Sequence, residues 1–187
     1  DGAALTDAVA GTCWRRIDVV AETGSTNADL LSRAADGEDI AGVVLLAEHQ
    51  VAGRGRNGRT WSAVPGTQIL MSVGVPTAGV AGDAWGWLPL ATGLAVVDAV
   101  ARCSGVPTGL KWPNDVLIRG RKVAGILAEA KTDAGRLAAV VIGVGLNVNI
   151  RREAFDPAHR DLATSLAEET GADHDVGEAA ARLCERF

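Results

Sequence analysis

The sequence predicts an α/β or α+β fold in which a mixed β-sheet is flanked by helices. Short apolar runs typical of strands are interspersed with segments of helical periodicity, and the two kinds do not alternate strictly. Because a doubly wound sheet requires that alternation, the pattern argues against a Rossmann fold. A length of 187 residues with 48% hydrophobic content is enough to bury one core, so one domain over 1–187 is predicted.

The hydrophobic pattern gives the elements in order. Apolar or alternating runs predict strands over residues 14–21, 42–48, 69–75, 115–119, 122–130 and 137–149. Apolar residues at helical spacing predict helices over residues 28–35, 84–103 and 177–187. The hydroxyl and amide side chains before the first helix are typical of an N-cap, and Pro89 is typical of a first helical turn.

The composition disfavours several classes of protein. Eighteen basic and 23 acidic residues give a formal net charge of −5, which argues against nucleic acid as a partner. The cysteines Cys13, Cys103 and Cys184 are too scattered for a disulfide framework or a zinc site. Neither a signal-peptide pattern nor a long uninterrupted apolar run occurs, so we expect no membrane segment and a cytoplasmic location. The oligomeric state is left open.

The sharpest local feature is the arginine–glycine loop, residues 53–59 (GRGRNGR). No acidic residue occurs between Glu48 and Asp83, so its three arginines lie in an acid-free part of an acidic chain. Arginine suits phosphate and carboxylate groups, and glycine allows close backbone approach. The loop satisfies GxGxxG and nearly matches a P-loop, but residues 60–66 cannot start the helix that both motifs require. We therefore favour an anion-contacting loop over a solvated surface loop.

Two further clusters are ambiguous when taken alone. Residues 111–115 (KWPND) end in Asp115, whose carboxylate could hold Mg²⁺ or could cap its own backbone in an Asx turn. Residues 119–125 (RGRKVAG) could form a functional turn or a solvated hairpin with a basic edge.

The strand over 138–150 has one apolar face and one face that becomes small and then polar. Its second face carries Gly143, Gly145 and Asn147 in sequence. Glycines on one face often mark a place where something lies against the backbone. A flat ligand and a close crossing by another element fit this face equally well.

In this order, the motifs resemble those of the biotin protein ligase family. The matching segments are GSTN at 24–27, EHQ at 48–50, the arginine–glycine loop with Trp61, KWPND at 111–115, RKVAGIL at 121–127 and GVGLN at 143–147. The resemblance implies a catalytic domain of the biotin–lipoate ligase type, with a sheet like that of class II aminoacyl-tRNA synthetases. Because few residues precede the first predicted strand, the helix-turn-helix found in some members is not expected here. The small C-terminal β-barrel usual in the family is expected to be missing.

The resemblance also implies an activity. Such a ligase forms biotinyl-5′-AMP from biotin and ATP with Mg²⁺, and then transfers biotin to a lysine in the biotin carboxyl carrier domain of a carboxylase. The alternatives are a lipoate–protein ligase, which generally lacks GRGRxGR, a biotin-binding module without activity, and a non-enzymatic RNA-binding arginine–glycine segment.

The family's functional residues carry over onto matching positions. Lys122, Arg56 and Asp115 would be catalytic, and Asp115 would also hold the metal ion. Residues expected to contact biotin are Ser25, Thr26, Asn27, Gln50, Gly53, Arg54, Arg56, Lys122, Gly125, Gly143 and Gly145. Residues expected to contact the nucleotide are Arg56, Arg59, Trp61, Asn114, Asp115, Lys122 and Asn147. Since alternation puts Lys122 and Gly125 on opposite faces of their strand, the strand must bulge, or the ligand must straddle its end, if both touch ligand.

Overall fold

A computed structural model describes residues 5–7, 10–76, 82–133 and 136–187. Within these residues, seven strands form one mixed sheet in the order β1-β2-β3-β7-β6-β5-β4. Their bounds are β1 Arg16–Thr23, β2 Val43–Gln50, β3 Gln68–Val75, β4 Gly109–Lys111, β5 Asp115–Ile118, β6 Arg121–Asp133 and β7 Arg136–Asn147. β1 and β2 are parallel, and every other neighbouring pair is antiparallel. The predicted mixed sheet is confirmed.

Helices cover both faces of the sheet. Their bounds are α1 Thr26–Ala35, α2 Leu88–Ser104, α3 Leu166–Thr170 and α4 Val176–Cys184. α2 and α4 pack on the main core, which contains the predicted apolar face of β7 from Val140 to Val148. α1 covers part of the opposite face, where Leu30 packs against Ala139 and Val141. α1 begins at Thr26, so its first turn reaches Gly143 through Asn27, and Gly145 lies beyond the helix.

The helix signals read from the sequence are largely confirmed. Ser25 is the N-cap of α1, and its Oγ accepts from the backbone N of Ala28 over 3.5 Å. Pro89 lies in the first turn of α2, which begins at Leu88 because residues 82–87 form 3₁₀ turns. The last helix was predicted to run to Phe187 but ends at Cys184. The three-residue strand β4 and the five-residue helix α3 were missed, because neither is long enough to show a period.

β6 contains a bulge that resolves the conflict over its two faces. Val116 pairs with Ala124 but Leu117 pairs with Lys122, so Val123 is an extra residue in β6. Both Val123 and Ala124 are buried in the main core. Lys122 and Gly125 consequently lie on the same face, and a Cβ added at Gly125 would be 3.0 Å from Lys122 Nζ.

One segment of the described chain, Ala84–Ser104, is long and apolar enough to cross a membrane, with a mean hydropathy of 1.4. Its buried residues Val96, Ala99 and Val100 belong to the core beneath the sheet. On its other side, Arg102 Nε lies 3.0 Å from Asp98. These contacts fit the core helix of a globular domain, which can have the same composition.

Candidate active site

A cavity of about 610 Å³ opens on the sheet face that α1 leaves uncovered. Its volume is within the range of sites for small molecules. β6 and β7 form its floor, the arginine–glycine loop lies on one side, and residues 155–163 lie on the other. All the predicted site residues line this cavity or contact residues that do; those directly on it include Ser25, Thr26, Asn27, Gln50, Arg54, Arg56, Arg59, Trp61, Asn114, Asp115, Lys122, Gly125, Gly143, Gly145 and Asn147.

The N-terminus of α1 forms a polar corner of the cavity. Thr26 donates to Gln50 Oε1 from its backbone N and its Oγ1, over 2.8 and 3.0 Å. Ser72 Oγ on β3 lies 2.7 Å from Thr26 Oγ1 and 2.5 Å from Asn27 Oδ1. Ser25 is already engaged as the helix cap. A connected hydroxyl–amide network therefore orients this corner before any ligand binds.

Asn27 lies directly against the floor at Gly143. A Cβ at that position would be 3.0 Å from Asn27 Cγ, so only glycine leaves room for the amide. Asn27 Nδ2 donates to the backbone O of Leu127 over 3.1 Å and to Glu129 Oε2 over 2.8 Å. Of the two alternatives for this glycine, a protein side chain rather than a ligand makes the close approach.

The arginine–glycine loop is a short hairpin held at its base. Trp61 N donates to Gly53 O over 2.9 Å, and Gly55 N donates to Arg59 O over 2.7 Å. A Cβ at Gly53 would be 3.3 Å from the carbonyl carbon of Trp61, with the oxygen closer still. The tip, residues 56–58, is a 3₁₀ turn with Asn57 at φ 57°, and the element that follows it is strand β3, not a helix. Rejection of the Rossmann and P-loop motifs is thereby confirmed.

The three arginines of the loop differ in their surroundings. Arg54 forms an ion pair with Glu129 on β6. Arg56 and Arg59 are exposed, and their guanidinium groups have no partner among the residues that the structure describes. Two uncompensated cations therefore stand at the mouth of the cavity.

Trp61 lies against the other two glycines of the floor. A Cβ at Gly145 would be 2.6 Å from Trp61 Cζ2, and one at Gly125 would be 2.9 Å from Trp61 Cζ3. The flat wall expected from the sequence is present, but the indole ring rests on it. Trp61 Nε1 is buried without a hydrogen-bond partner among the described residues. An unpaired buried donor of this kind is costly unless an acceptor joins it.

Lys122 stands at the centre of the cavity. Its Nζ is 2.7 Å from Asp115 Oδ1 and 5.4 Å from the centroid of the Trp61 ring. Its backbone is fixed from the far side, because Lys122 N donates to Leu162 O over 2.7 Å and Thr164 N donates to Lys122 O over 2.9 Å. The structure thus brings together all three predicted catalytic residues around one cavity, with Arg56 at its rim.

The two asparagines predicted to bind nucleotide also hold the fold together. Asn114 Nδ2 donates to Ile126 O over 2.8 Å. Asn147 is buried, accepts from Gln68 Nε2 over 2.8 Å and donates to Thr164 O over 2.9 Å. Both the oxygen and the nitrogen of the Asn147 side-chain amide are therefore hydrogen-bonded within the protein.

Several residues that line the cavity or hydrogen-bond to its lining were not anticipated from the sequence. Glu129 shares its face with Gly125, so strand alternation from Gly125 could have found it. Ser72 pairs with Gly143 and Gln68 pairs with Asn147, which requires the register of β3 on β7. The segment 155–163 has no periodic signal, and only the fold brings it to Lys122.

A magnesium ion fits this donor set only with help from a ligand. No group of three or more His, Cys, Asp or Glu residues able to hold a metal occurs in the described parts of the chain. Mg²⁺ commonly uses one or two carboxylates together with substrate phosphates, and Asp115 on the cavity wall supplies one such carboxylate.

Comparison with known proteins identifies the family. The model of the biotin/lipoate A/B protein ligase family matches residues 22–147, about two-thirds of the chain. The chain belongs to this family.

Within this family, the chain is similar to proteins named as biotin ligases. It is 58% identical over 177 residues to the biotin–[acetyl-CoA-carboxylase] ligase of Mycobacterium tuberculosis, covering 93% of this chain and 63% of that protein. It is 36% identical over 154 residues to the bifunctional ligase/repressor BirA of Bacillus spizizenii, covering 82% and 46%. The chain thus spans less than two-thirds of the length of these relatives.

Solved structures of the family share the fold. The biotin protein ligase of Aquifex aeolicus in complex with biotin and ATP superposes with a TM-score of 0.79 at 31% identity, over 92% of this chain and 68% of that one. The Leishmania major enzyme in complex with biotinyl-5-AMP gives a TM-score of 0.71 at 29% identity, over 92% and 74%. The predicted biotin–lipoate ligase-type fold is confirmed.

Proposed function

We propose that this chain carries the catalytic site of an ATP-dependent biotin protein ligase. It joins biotin to ATP as biotinyl-5′-AMP with release of pyrophosphate, and then transfers biotin to a lysine of a carboxylase's biotin carboxyl carrier domain. The observation that carries the proposal is the cavity itself, in which Lys122, Asp115 and two unpaired arginines surround a glycine floor. The same fold holds biotin and ATP in the Aquifex aeolicus protein.

The first half-reaction brings two anions together. The biotin carboxylate attacks the α-phosphorus of ATP, and the bond to pyrophosphate breaks. Repulsion between unit charges about 4 Å apart is on the order of 4 kcal/mol at an effective dielectric near 20. Lys122, Arg56 and Arg59 offset this repulsion and stabilise the charge that develops on the phosphate. Asp115 keeps Lys122 directed into the cavity through their 2.7 Å ion pair.

Different parts of the cavity suit the two substrates, biotin and ATP. The polar corner of Thr26 and Gln50 suits the polar end of biotin. The Trp61 ring offers a flat surface for adenine, and its unpaired Nε1 offers a donor. Asp115 is the residue that would hold Mg²⁺, which when bound neutralises part of the triphosphate charge.

The second half-reaction requires protection of the adenylate. The carrier lysine's amine attacks the acyl carbon of biotinyl-5′-AMP, an amide bond forms, and AMP leaves. A loop closed over the cavity excludes water from the mixed anhydride in the meantime. A cytoplasmic location is part of the proposal, supported by three cysteines that are all unpaired.

The deciding experiment looks for the adenylate. The protein is incubated with biotin, Mg²⁺ and ATP labelled at the α-phosphate, and labelled biotinyl-AMP is expected. Lys122→Ala should lower its rate of formation by at least about 100-fold, since an electrostatic contact to the reacting phosphate is lost. Lys131→Ala removes a lysine from the same strand outside the cavity and should behave as the parent. No adenylate from the parent would refute the proposed first half-reaction.

The choice of acid needs a separate test. Lipoate added at the same concentration as biotin should leave biotinyl-AMP formation unchanged. A labelled lipoyl adenylate formed at a comparable rate would instead assign the chain to the lipoate ligases of its family. Transfer is followed by the mass increase of a carrier domain with its target lysine, and a Lys→Arg carrier is the control.

A further inference from the structure

Glu129 is an acidic residue that contacts two cavity-lining residues, Asn27 and Arg54, and the proposed reaction gives it no role. It lies on β6 on the same face as Gly125 and Leu127, and only 19% of its side chain is exposed. Both carboxylate oxygens are used. Oε2 accepts from Asn27 Nδ2 over 2.8 Å, and Oε1 pairs with the Arg54 guanidinium. A half-buried carboxylate with both oxygens paired is held in one geometry.

The partner on the loop side, Arg54, lies directly after the base of the hairpin. In the described structure, two side-chain contacts connect this hairpin to the sheet. One is the ion pair between Arg54 and Glu129, and the other is the Trp61 ring, which rests on the glycine floor. Arg56 and Arg59 lie at or beside the tip, and their guanidinium groups form no hydrogen bond or ion pair with a described residue. The charge of Arg54 is therefore compensated from the sheet, while the charges of the other two arginines remain available.

The partner on the wall side, Asn27, makes the connection rigid. Its amide is fixed by the backbone of Leu127 and by Ser72 as well as by Glu129. Glu129 thus joins a glycine-rich hairpin, whose backbone can adopt many conformations, to a hydrogen-bonded part of the cavity wall.

We propose that Glu129 is a positioning residue that holds the arginine–glycine loop over the cavity through Arg54. Arg54 serves as the loop's anchor, and Arg56 and Arg59 serve the ligand. The consequence for catalysis rests on the proposed function, because a loosened loop would let water reach the adenylate.

The anchor can be tested without any substrate, by trypsin cleavage of the ligand-free protein. Cleavage after Arg56 and Arg59 is followed by mass spectrometry. Glu129→Ala should accelerate it on the order of tenfold, because local opening of the loop sets the rate. Glu178→Ala, which removes the carboxylate paired with Arg182 on α4, is the matched control and should cleave as the parent. Equal cleavage of Glu129→Ala and the parent would overturn the proposal.

Two variants separate anchoring from a general loss of structure. In Arg54→Ala, cleavage after Arg56 and Arg59 should rise as in Glu129→Ala, and the double variant should be no faster than either single one. Glu129→Gln retains an acceptor for Asn27 but loses the charge for Arg54, so it should also accelerate cleavage. Additive effects in the double variant, or a thermal midpoint lowered enough to explain the cleavage, would both contradict a specific anchor.

The catalytic consequence is measured as the ratio of free, hydrolysed biotinyl-AMP to biotin transferred to the carrier. Glu129→Gln should raise this ratio several-fold while the rate of adenylate formation changes less. An unchanged ratio would refute the link between the anchor and water exclusion. If the parent forms no adenylate, the proposed function fails, whereas the trypsin result still decides whether Glu129 anchors the loop.

Discussion

Gly145→Ala is the substitution for which the structure makes the sharpest prediction. The new Cβ would lie 2.6 Å from Trp61 Cζ2 and 2.8 Å from Trp61 Nε1. Non-bonded carbon atoms are at their optimum about 3.5–4.0 Å apart, so the indole must move away by about 1 Å. The ring sits at one end of the hairpin, and moving it therefore also moves the loop arginines.

The size of the effect depends on which part of the protein gives way. Overpacking of a rigid core costs about 1–3 kcal/mol of stability. Here Trp61 belongs to a loop, so the loop can shift. The clash is then relieved mainly by displacement of Trp61 and the loop arginines from their positions at the cavity, and the loss of stability is small. A displacement of about 1 Å at a site of chemistry can cost on the order of 100-fold in rate. We expect kcat/KM for adenylate formation to fall by about that factor, with a small change in Tm.

The assay is labelled biotinyl-AMP formation alongside thermal unfolding. Gly109→Ala is the matched control: nothing lies within 4 Å of its added Cβ, and its activity should equal that of the parent. Combining Gly145→Ala with Trp61→Ala removes the clash, so the double variant should be no worse than Trp61→Ala alone. A Gly145→Ala protein with parental kcat/KM would refute the reasoning that the ring must rest on this floor.

Three further predictions concern stability. Glu169→Gln should lower the free energy of unfolding in urea by about 1–3 kcal/mol, because the fully buried carboxylate pairs with Arg121 over 2.6 Å. Solvent weakens this ion pair, since one-third of the Arg121 side chain is exposed. Asn147→Ala should cost about 1–3 kcal/mol in the same assay, because the Thr164 carbonyl loses its donor and Gln68 Nε2 loses one of its two acceptors. An unchanged midpoint would contradict its structural role. Burial raises the pKa of the Cys184 thiol from 9.0 to about 12. Because the unfolded chain releases this proton at a lower pH than the folded chain, the free energy of unfolding should fall by about 1.4 kcal/mol per pH unit between pH 9 and pH 12. Cys184→Ala, which lacks the thiol, should show a shallower slope.

The strands that build the floor could be predicted because their signals are local. β7 alternates between a core face and a face that carries Gly143 and Gly145, and a period of two is visible in the sequence alone. The cap of α1 at Ser25 is likewise a local signal. The bulge at Val123 was one of the alternatives that the sequence left open, beside a ligand that straddles the end of the strand, and the register of β5 on β6 decides between them.

Other parts of the site depend on contacts between distant segments. Arg54 and Glu129 are 75 residues apart, and Arg121 and Glu169 are 48 apart. Nothing near Glu129 in the sequence indicates which cation it meets, because that choice follows from the register of β6 and the position of the hairpin. Trp61 was expected to contact the nucleotide, but only the fold reveals that the glycines beneath it are those predicted to contact biotin.

The placement of the acidic residue explains why the loop itself contains none. A carboxylate inside the hairpin would be free to pair with Arg56 or Arg59, and it would cancel the charges that the proposed reaction uses at the phosphate. Glu129 is instead fixed on a strand, where Asn27 holds one oxygen and Arg54 is the cation that the other oxygen meets among the described residues. A rigid acid can neutralise one chosen arginine, whereas a flexible acid would neutralise whichever lies nearest. On this argument, moving the carboxylate into the loop, as in Asn57→Asp, should reduce adenylate formation even with Glu129 intact, and Asn57→Gly, which suits the same left-handed backbone without a charge, should not.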